Sequence, residues 1–184
     1  TSFAQVVASI FDLPLDHVSI LFGDSDVAVS GGGTHADRSM RLAGTVLVRA
    51  AEDIIEQGRK LAADKLEVAP SDLIYENARF KVVGTDRSIG LFELPGPLTA
   101  GNEVTQRLHA HPNGVAVCEV EIDPDTGAID LVRYGTVDDV GRVINPMIVD
   151  GQVHGGIAQG VGQALMEQCV FDSETGQFVT GSFM

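Results

Sequence analysis

Cysteine is scarce in this chain. Only Cys118 and Cys169 occur in 184 residues, far apart and outside any CxxC pair. That excludes a zinc-ribbon signature and a disulfide framework, and buried structural thiols are the expectation. Positive charge is scarce too: 12 Lys and Arg stand against 26 Asp and Glu, a formal net charge of -14. A nucleic-acid groove needs a basic stripe, so nucleic acid is excluded as a partner, and the acidity keeps a globular protein dispersed. No run of 18 apolar residues appears, which excludes an apolar membrane-spanning helix. The first residues carry neither a signal peptide nor a transit segment, so the expected location is cytoplasmic. What remains, 44% hydrophobic and 21% charged residues, suffices for one core built as two lobes. The chain opens at Thr1 without methionine and stops at Met184 after a strand-like stretch. A domain excised from a longer polypeptide is therefore expected.

TSFAQVVASIFDLP predicts a short amphipathic helix capped by Thr1 or Ser2, with Phe3, Val6, Val7, Ile10 and Phe11 on its apolar face and Pro14 past its end. HVSILFGD is strand-like and leads into the loop SDVAVSGGGTHAD. The run from Arg38 to Val68 predicts a long helix with Met40, Ala43, Val46, Leu47, Ala50, Ile54 and Leu61 on one stripe. Gly44 and Gly58 weaken it, so a kink or break is expected near Gly58. From Pro70 the period changes to two: DLIYENARFKVVG predicts a hairpin turning near Glu76-Asn77. A Pro- and Gly-rich connector follows, with room for one short helix. GVAVCEVEID and AIDLVRYGTVDDV predict a second hairpin through Pro124-Asp125-Thr126-Gly127. After a Gly-rich helix, CVFDSETGQFVTGSF predicts a last hairpin. The fold class is α+β, a two-layer mix of antiparallel β hairpins and long helices, with lobes over 1–95 and 110–184.

Two glycine-rich stretches stand out. Gly31-Gly32-Gly33-Thr34 lies just before the long helix, with Arg38 and Ser39 behind it. Glycines let backbone N–H groups turn toward a ligand, a helix N-terminus favours an anion, and an arginine forks onto phosphate oxygens. A flexible loop with a solvated arginine is the alternative. The stretch is neither GxGxxG nor a Walker loop. The second stretch, DGQVHGGIAQGVGQAL from Asp150, accepts repeated mid-helix glycines at up to about 1 kcal/mol each. Gly151, Gly155 and Gly162 fall within about 40° of one another, and Gly156 and Gly160 one turn apart. Removing bulk there admits a flat ligand, or else a closely packed helix. Gln152, His154, Gln159 and Gln163 supply uncharged donors and acceptors; those glutamines and the short apolar length exclude a membrane GxxxG dimer.

Other candidates point to turns. His109 and His111 lack a third metal ligand at fixed spacing. Asp138-Asp139 before Gly141-Arg142 reads as a turn with a local ion pair, and Ser182 lacks a nucleophile-elbow context.

Taken together, GGGTHADRS, VCEVEIDPDTG, VDDVGRVINPMIVDGQVHGGIAQGVGQAL and TGSFM resemble the molybdenum-binding large subunit of the xanthine dehydrogenase, aldehyde oxidase and carbon monoxide dehydrogenase family, its bacterial carbon monoxide dehydrogenase-like branch above all. The resemblance covers almost the whole chain and implies part of the second molybdopterin-binding domain. It implies a molybdenum–molybdopterin cofactor in the cytosine dinucleotide form, with iron–sulfur clusters and FAD on partner subunits or domains. By the same resemblance Gln152, His154, Gly155, Gly156 and Gln159 line the pterin side, while Gly32, Gly33, Thr34, Arg38 and Ser39 approach the dinucleotide or its phosphates. No side chain here binds the metal directly. The family's catalytic glutamate is expected beyond Met184 and its Gly-Gln-Gly loop before Thr1, so the chain alone is expected to be inactive. One departure is Ala36-Asp37 ahead of Arg38, where the family places a small residue and serine. The implied parent is a hydroxylase of a small-molecule substrate whose partners are the remainder of the large subunit and the iron–sulfur and FAD subunits. A non-enzymatic dimerisation module, or a domain for another phosphorylated ligand, are the rival readings.

Overall fold

The structure, a computed structural model, describes residues 1–27, 31–36, 38–104 and 110–181. Helix α1 (Ser2–Phe11) buries Ala4, Ala8 and Phe11 and ends at Asp12, which takes the left-handed conformation at φ 51°. Thr1 stands at its N-cap, but the hydroxyl makes no capping bond. Helix α2 (Arg38–Leu66) runs 29 residues, and strands β1 (Leu73–Glu76), β2 (Arg79–Val82) and β3 (Ser88–Gly90) follow as one antiparallel sheet in the order β1-β2-β3. Register runs from Leu73 opposite Val82 to Glu76 opposite Arg79. That leaves Asn77 and Ala78, both at positive φ, as the two-residue turn whose hand matches strand twist.

The core joins α1, α2 and this sheet through Phe11, Ala51, Ala62, Leu73, Phe80 and Val82, with Leu91 and Leu94 from the segment after β3. On α2 the buried line is Gly44, Ala51, Gly58, Ala62 and Ala63, all small, whereas the predicted bulky stripe is only half-buried. Small residues win there because neighbouring elements approach closely. A Cβ on Gly58 would stand 2.7 Å from Phe80 Cζ and 3.2 Å from Leu94 Cδ1. The helix runs unbroken through Gly58, and this glycine admits the fully buried Phe80 ring. The Tyr75 hydroxyl donates to the Phe11 carbonyl (3.0 Å), and the Asn77 N–H donates to the Asp12 carboxylate (3.1 Å), tying α1 to the hairpin. Burial, then the charge of Asp12, pushes the Tyr75 phenol up to about 12.

Two expectations fail in this part of the chain. HVSILFGD forms no strand: its first residue closes a 3-10 turn (Leu15–His17), and the rest has no strand partner among the described residues, with Leu21 and Phe22 exposed. A strand needs a ladder, and none is offered. The connector holds β3 in addition to its short helical turn (Leu91–Glu93).

Strands β4 (Asn113–Ile122) and β5 (Ile129–Asp139) form a separate two-stranded ribbon, and helix α3 (Pro146–Leu165) follows. Packing divides the chain into two compact units, Thr1–Val137 and Asp138–Met184. The last predicted hairpin shrinks to a single bridge between Phe171 and Phe178, whose rings lie 5.1 Å apart. Both remaining turns use one device. In Asp123-Pro-Asp-Thr-Gly127, the Asp123 carboxylate accepts from the N–H groups of Asp125 and Thr126; in Asp172-Ser-Glu-Thr-Gly176, Asp172 accepts from Glu174 and Thr175. Gly127 and Gly176 then turn the chain at φ 73° and 70°. The Thr126 and Asp125 N–H groups hold the Asp123 carboxyl below the usual carboxylate range, and the Thr175 hydroxyl (2.7 Å), then the Thr175 N–H, does the same for Asp172. Cys118 and Cys169 are exposed, against the expectation of buried thiols, because the ribbon is open on both faces and residue 169 lies in an exposed segment.

Candidate cofactor-binding segments

The first candidate segment is the loop before α2. Gly33 sits at φ 72° and Ala36 at φ 51°, and these left-handed turns fold the loop back on the first turn of the helix. Arg38 reaches back six residues. Its Nη2 donates to the Gly32 carbonyl at 2.6 Å and to the Gly33 carbonyl at 2.9 Å. The Ser39 hydroxyl donates to the Thr34 hydroxyl oxygen at 3.0 Å, and the Arg38 N–H donates to the His35 carbonyl at 3.3 Å. A Cβ on Gly32 would lie 2.5 Å from Arg38 Nη2, so only glycine leaves room for this contact. Gly32, Gly33, Thr34, Arg38 and Ser39 are thus brought together by the loop's own hydrogen bonds. Asp37 lies outside the described residues.

The second segment is α3. The buried Asn145 caps it, its Oδ1 accepting from the Ile148 N–H at 3.1 Å, and Pro146 occupies the first turn where a missing N–H does no harm. Val153, Ile157 and Val161 recur every four residues and form its half-buried side. Gln152, Gly155, Gly156, Gln159 and Gln163 recur at three or four and are exposed along a different side. A Cβ placed on Gly151, Gly155, Gly156 or Gly160 would meet no atom within 4 Å. The glycines therefore leave an open strip with amide groups on its flanks within the described residues of this unit. His154 is exposed too: at 100° per residue it projects about 60° from Gly151, about 100° from Gly155, and about 140–160° from Gln159, Gln152 and Gly156.

The remaining candidates take structural places or fall outside the description. His109 and Ser182 lie outside the described residues. The carbonyl of His111 accepts from Asn113 Nδ2 (3.1 Å), and the Asp139 carboxylate accepts from the Gly141 N–H (2.9 Å), closing a turn. Among the described residues, no three His, Cys, Asp or Glu side chains group to hold a metal ion. No described helix is long and apolar enough to cross a membrane. The sequence reading missed the acceptor of Arg38, which is its own loop; the glycine at 32 was the available signal.

With this geometry in hand, comparison with known proteins is informative. The family model described as the molybdopterin cofactor-binding domain matches residues 1–184. The 6-hydroxypseudooxynicotine dehydrogenase complex subunit gamma of Paenarthrobacter nicotinovorans is 36% identical over 100% of this chain and 25% of its own length. The carbon monoxide dehydrogenase large chain of Hydrogenophaga pseudoflava is 35% identical over 95% of this chain and 23% of its own. In three dimensions, the crystal structure of Cu,Mo-CO dehydrogenase in its carbon monoxide reduced state superposes with a TM-score of 0.91 at 34% identity, covering 99% of this chain and 24% of that one. The chain thus spans about a quarter of the length of these relatives.

Proposed function

The chain belongs to the molybdopterin cofactor-binding domain family, and from that premise we propose that it is the cofactor-holding portion of the large subunit of a molybdenum hydroxylase. The observation that carries this reading is the open strip of α3, where glycines clear space between amide side chains. A planar pterin needs van der Waals clearance on its face and uncharged donors and acceptors at its edge. Gly155 and Gly156 supply the first; Gln152 and Gln159 supply the second. His154, one turn from Gly151 and exposed, completes the proposed pterin-side set. On the loop, Gly32, Gly33, Thr34, Arg38 and Ser39 serve the dinucleotide phosphates of a cytosine dinucleotide form, where N–H groups and hydroxyls suit an anion.

When bound, the cofactor supplies the two-electron oxidation of a small-molecule substrate; the protein supplies binding and orientation. This chain's residues hold the cofactor and carry no catalytic base. The partners of this reading are the iron–sulfur and FAD subunits or domains, which would accept the electrons, and its location is the cytoplasm. The rest of the large subunit covers what is open here. Val115, Val117 and Val137 of the ribbon are each at least 64% exposed.

The test is compositional. The full-length protein carries stoichiometric molybdenum and releases cytidine monophosphate on acid hydrolysis, while the 184-residue chain alone oxidises neither aldehydes, purines nor carbon monoxide with a dye acceptor. A full-length protein free of molybdenum, or turnover that scales with the concentration of the isolated chain, overturns the reading.

A further inference from the structure

Helix α3 ends in a way that leaves one carboxylate without a counter-charge. The N–H groups of Met166 and Glu167 both donate to the Gly162 carbonyl at 2.9 Å, which folds the chain back over the last turn. The Glu167 side chain follows: a Cβ on Gly162 would stand 3.1 Å from Glu167 Oε1. A carboxylate at the C-terminal end of a helix faces the negative pole of the helix dipole. The last turn of α3 carries no basic residue to offset that. Among the described residues, the Glu167 carboxylate has no hydrogen-bond or ion-pair partner. Gly162 lies about 20° from Gly155 and about 60° from Gln159 around the helix, on the side of the open strip. It stands about one turn beyond Gln159 and about 10 Å along the axis from Gly155.

We propose that Glu167 is a further cofactor-binding residue, which closes the C-terminal end of the α3 strip and receives the amino-pyrimidinone edge of the pterin. This rests on the reading of that strip as the pterin side of the cofactor site. The amino-pyrimidinone edge carries an exocyclic amine beside a ring N–H, two donors in one plane. A carboxylate offers two oxygens in one plane and acceptor capacity only, the match by which it takes two N–H groups of a guanidinium. The amides of Gln152 and Gln159 each present one oxygen and one NH2 group, so neither accepts two adjacent donors in this way. Donors from the pterin also offset the repulsion between the carboxylate and the helix end.

The experiment uses the full-length protein with Glu167→Ala and Glu167→Gln, each prepared loaded and, from a host that does not make the cofactor, cofactor-free. Readouts are molybdenum content, the half-life of cofactor retention after dilution, and the thermal midpoint of both forms. Glu167 is exposed in this chain and outside its buried core, so both variants fold. If the carboxylate holds the pterin, both variants shorten retention by on the order of tenfold, the effect of about one charge-assisted hydrogen bond. Glutamine does not rescue, because its NH2 group meets a donor. The cofactor-free midpoint then stays at the wild-type value while the loaded one falls, since a ligand stabilises only the form that binds it. If the cofactor-free midpoint falls as far as the loaded one, Glu167 pairs with a basic side chain elsewhere in the large subunit, and the proposal falls. If neither variant loses cofactor while Gly156→Leu does, the carboxylate lies off the pterin; the proposal falls and the reading of α3 stands. If Gly156→Leu also keeps its full cofactor, the reading of α3 fails, and the proposal with it.

Discussion

Replacing Gly155 or Gly156 by leucine separates a glycine kept for a ligand from one kept for packing. Among the described residues a Cβ at either position meets no atom within 4 Å, and both residues are exposed. Within the isolated chain the substitution therefore removes a helix-weakening residue and collides with nothing. Leucine is favoured over glycine in a helix interior by about 0.8 kcal/mol, so far-ultraviolet circular dichroism at the helical minimum should deepen or stay constant. In the full-length protein the same side chain fills the strip assigned to the pterin. Overpacking a filled site costs about 1–3 kcal/mol, which corresponds to roughly a five- to hundredfold loss of cofactor affinity. Molybdenum content per polypeptide reads this loss directly, and Gly156→Ala should fall between wild type and Gly156→Leu. The opposite pattern would refute the reasoning: reduced helicity or a lost dimer in the isolated chain, with normal molybdenum in the full-length protein. The glycines would then serve packing.

Further outcomes follow from particular contacts. Gly58→Ala places a methyl 2.7 Å from the buried Phe80 ring; the strain of about 1–3 kcal/mol outweighs a helix gain of up to about 1 kcal/mol, so the urea midpoint falls. Gly44→Ala, opposite only the flexible Met40 sulfur at 3.2 Å, raises or preserves that midpoint. In a Tyr134→Phe chain, tyrosinate absorbance reports Tyr75 alone, with a midpoint near pH 12. Because the raised pKa favours the neutral phenol in the folded state, its contribution to stability is complete below the ordinary tyrosine value and is lost as pH rises toward 12; ionisation at the ordinary value would disprove the burial. For Asp123 and Asp172, whose pKa values are lowered, the stabilising effect is present above the unfolded carboxylate value and disappears as pH falls through the folded one. Asp123→Ala should accelerate amide exchange at Asp125 and Thr126, and Asp172→Ala at Glu174 and Thr175; unchanged exchange would show that the turns do not depend on these carboxylates.

Short-range signals in the chain were enough for many elements. The period of three to four over Arg38–Leu66, the Asn145-Pro146 start of α3, and the Asp-x-x-Thr-Gly turns each act within one helical turn or one loop. Neighbouring residues carry all the physics they need. The open glutamine–glycine strip was also legible, because helix geometry alone decides which side chains share a face. The family resemblance rested on these same local stretches. Other features needed partners distant in the sequence. Gly58 is a contact for Phe80, 22 positions on, so sequence reasoning took it for a weak point in the helix. Small residues replaced the expected bulky stripe because the distance between α2 and its neighbours is a tertiary quantity. HVSILFGD had strand composition but no partner, whereas Ser88–Gly90 became a strand because β2 offered it an edge at Arg79–Lys81. Arg38 belongs with these cases: its charge was plain in the sequence, but the acceptors of its hydrogen bonds were set only when Gly33 turned the loop back onto it.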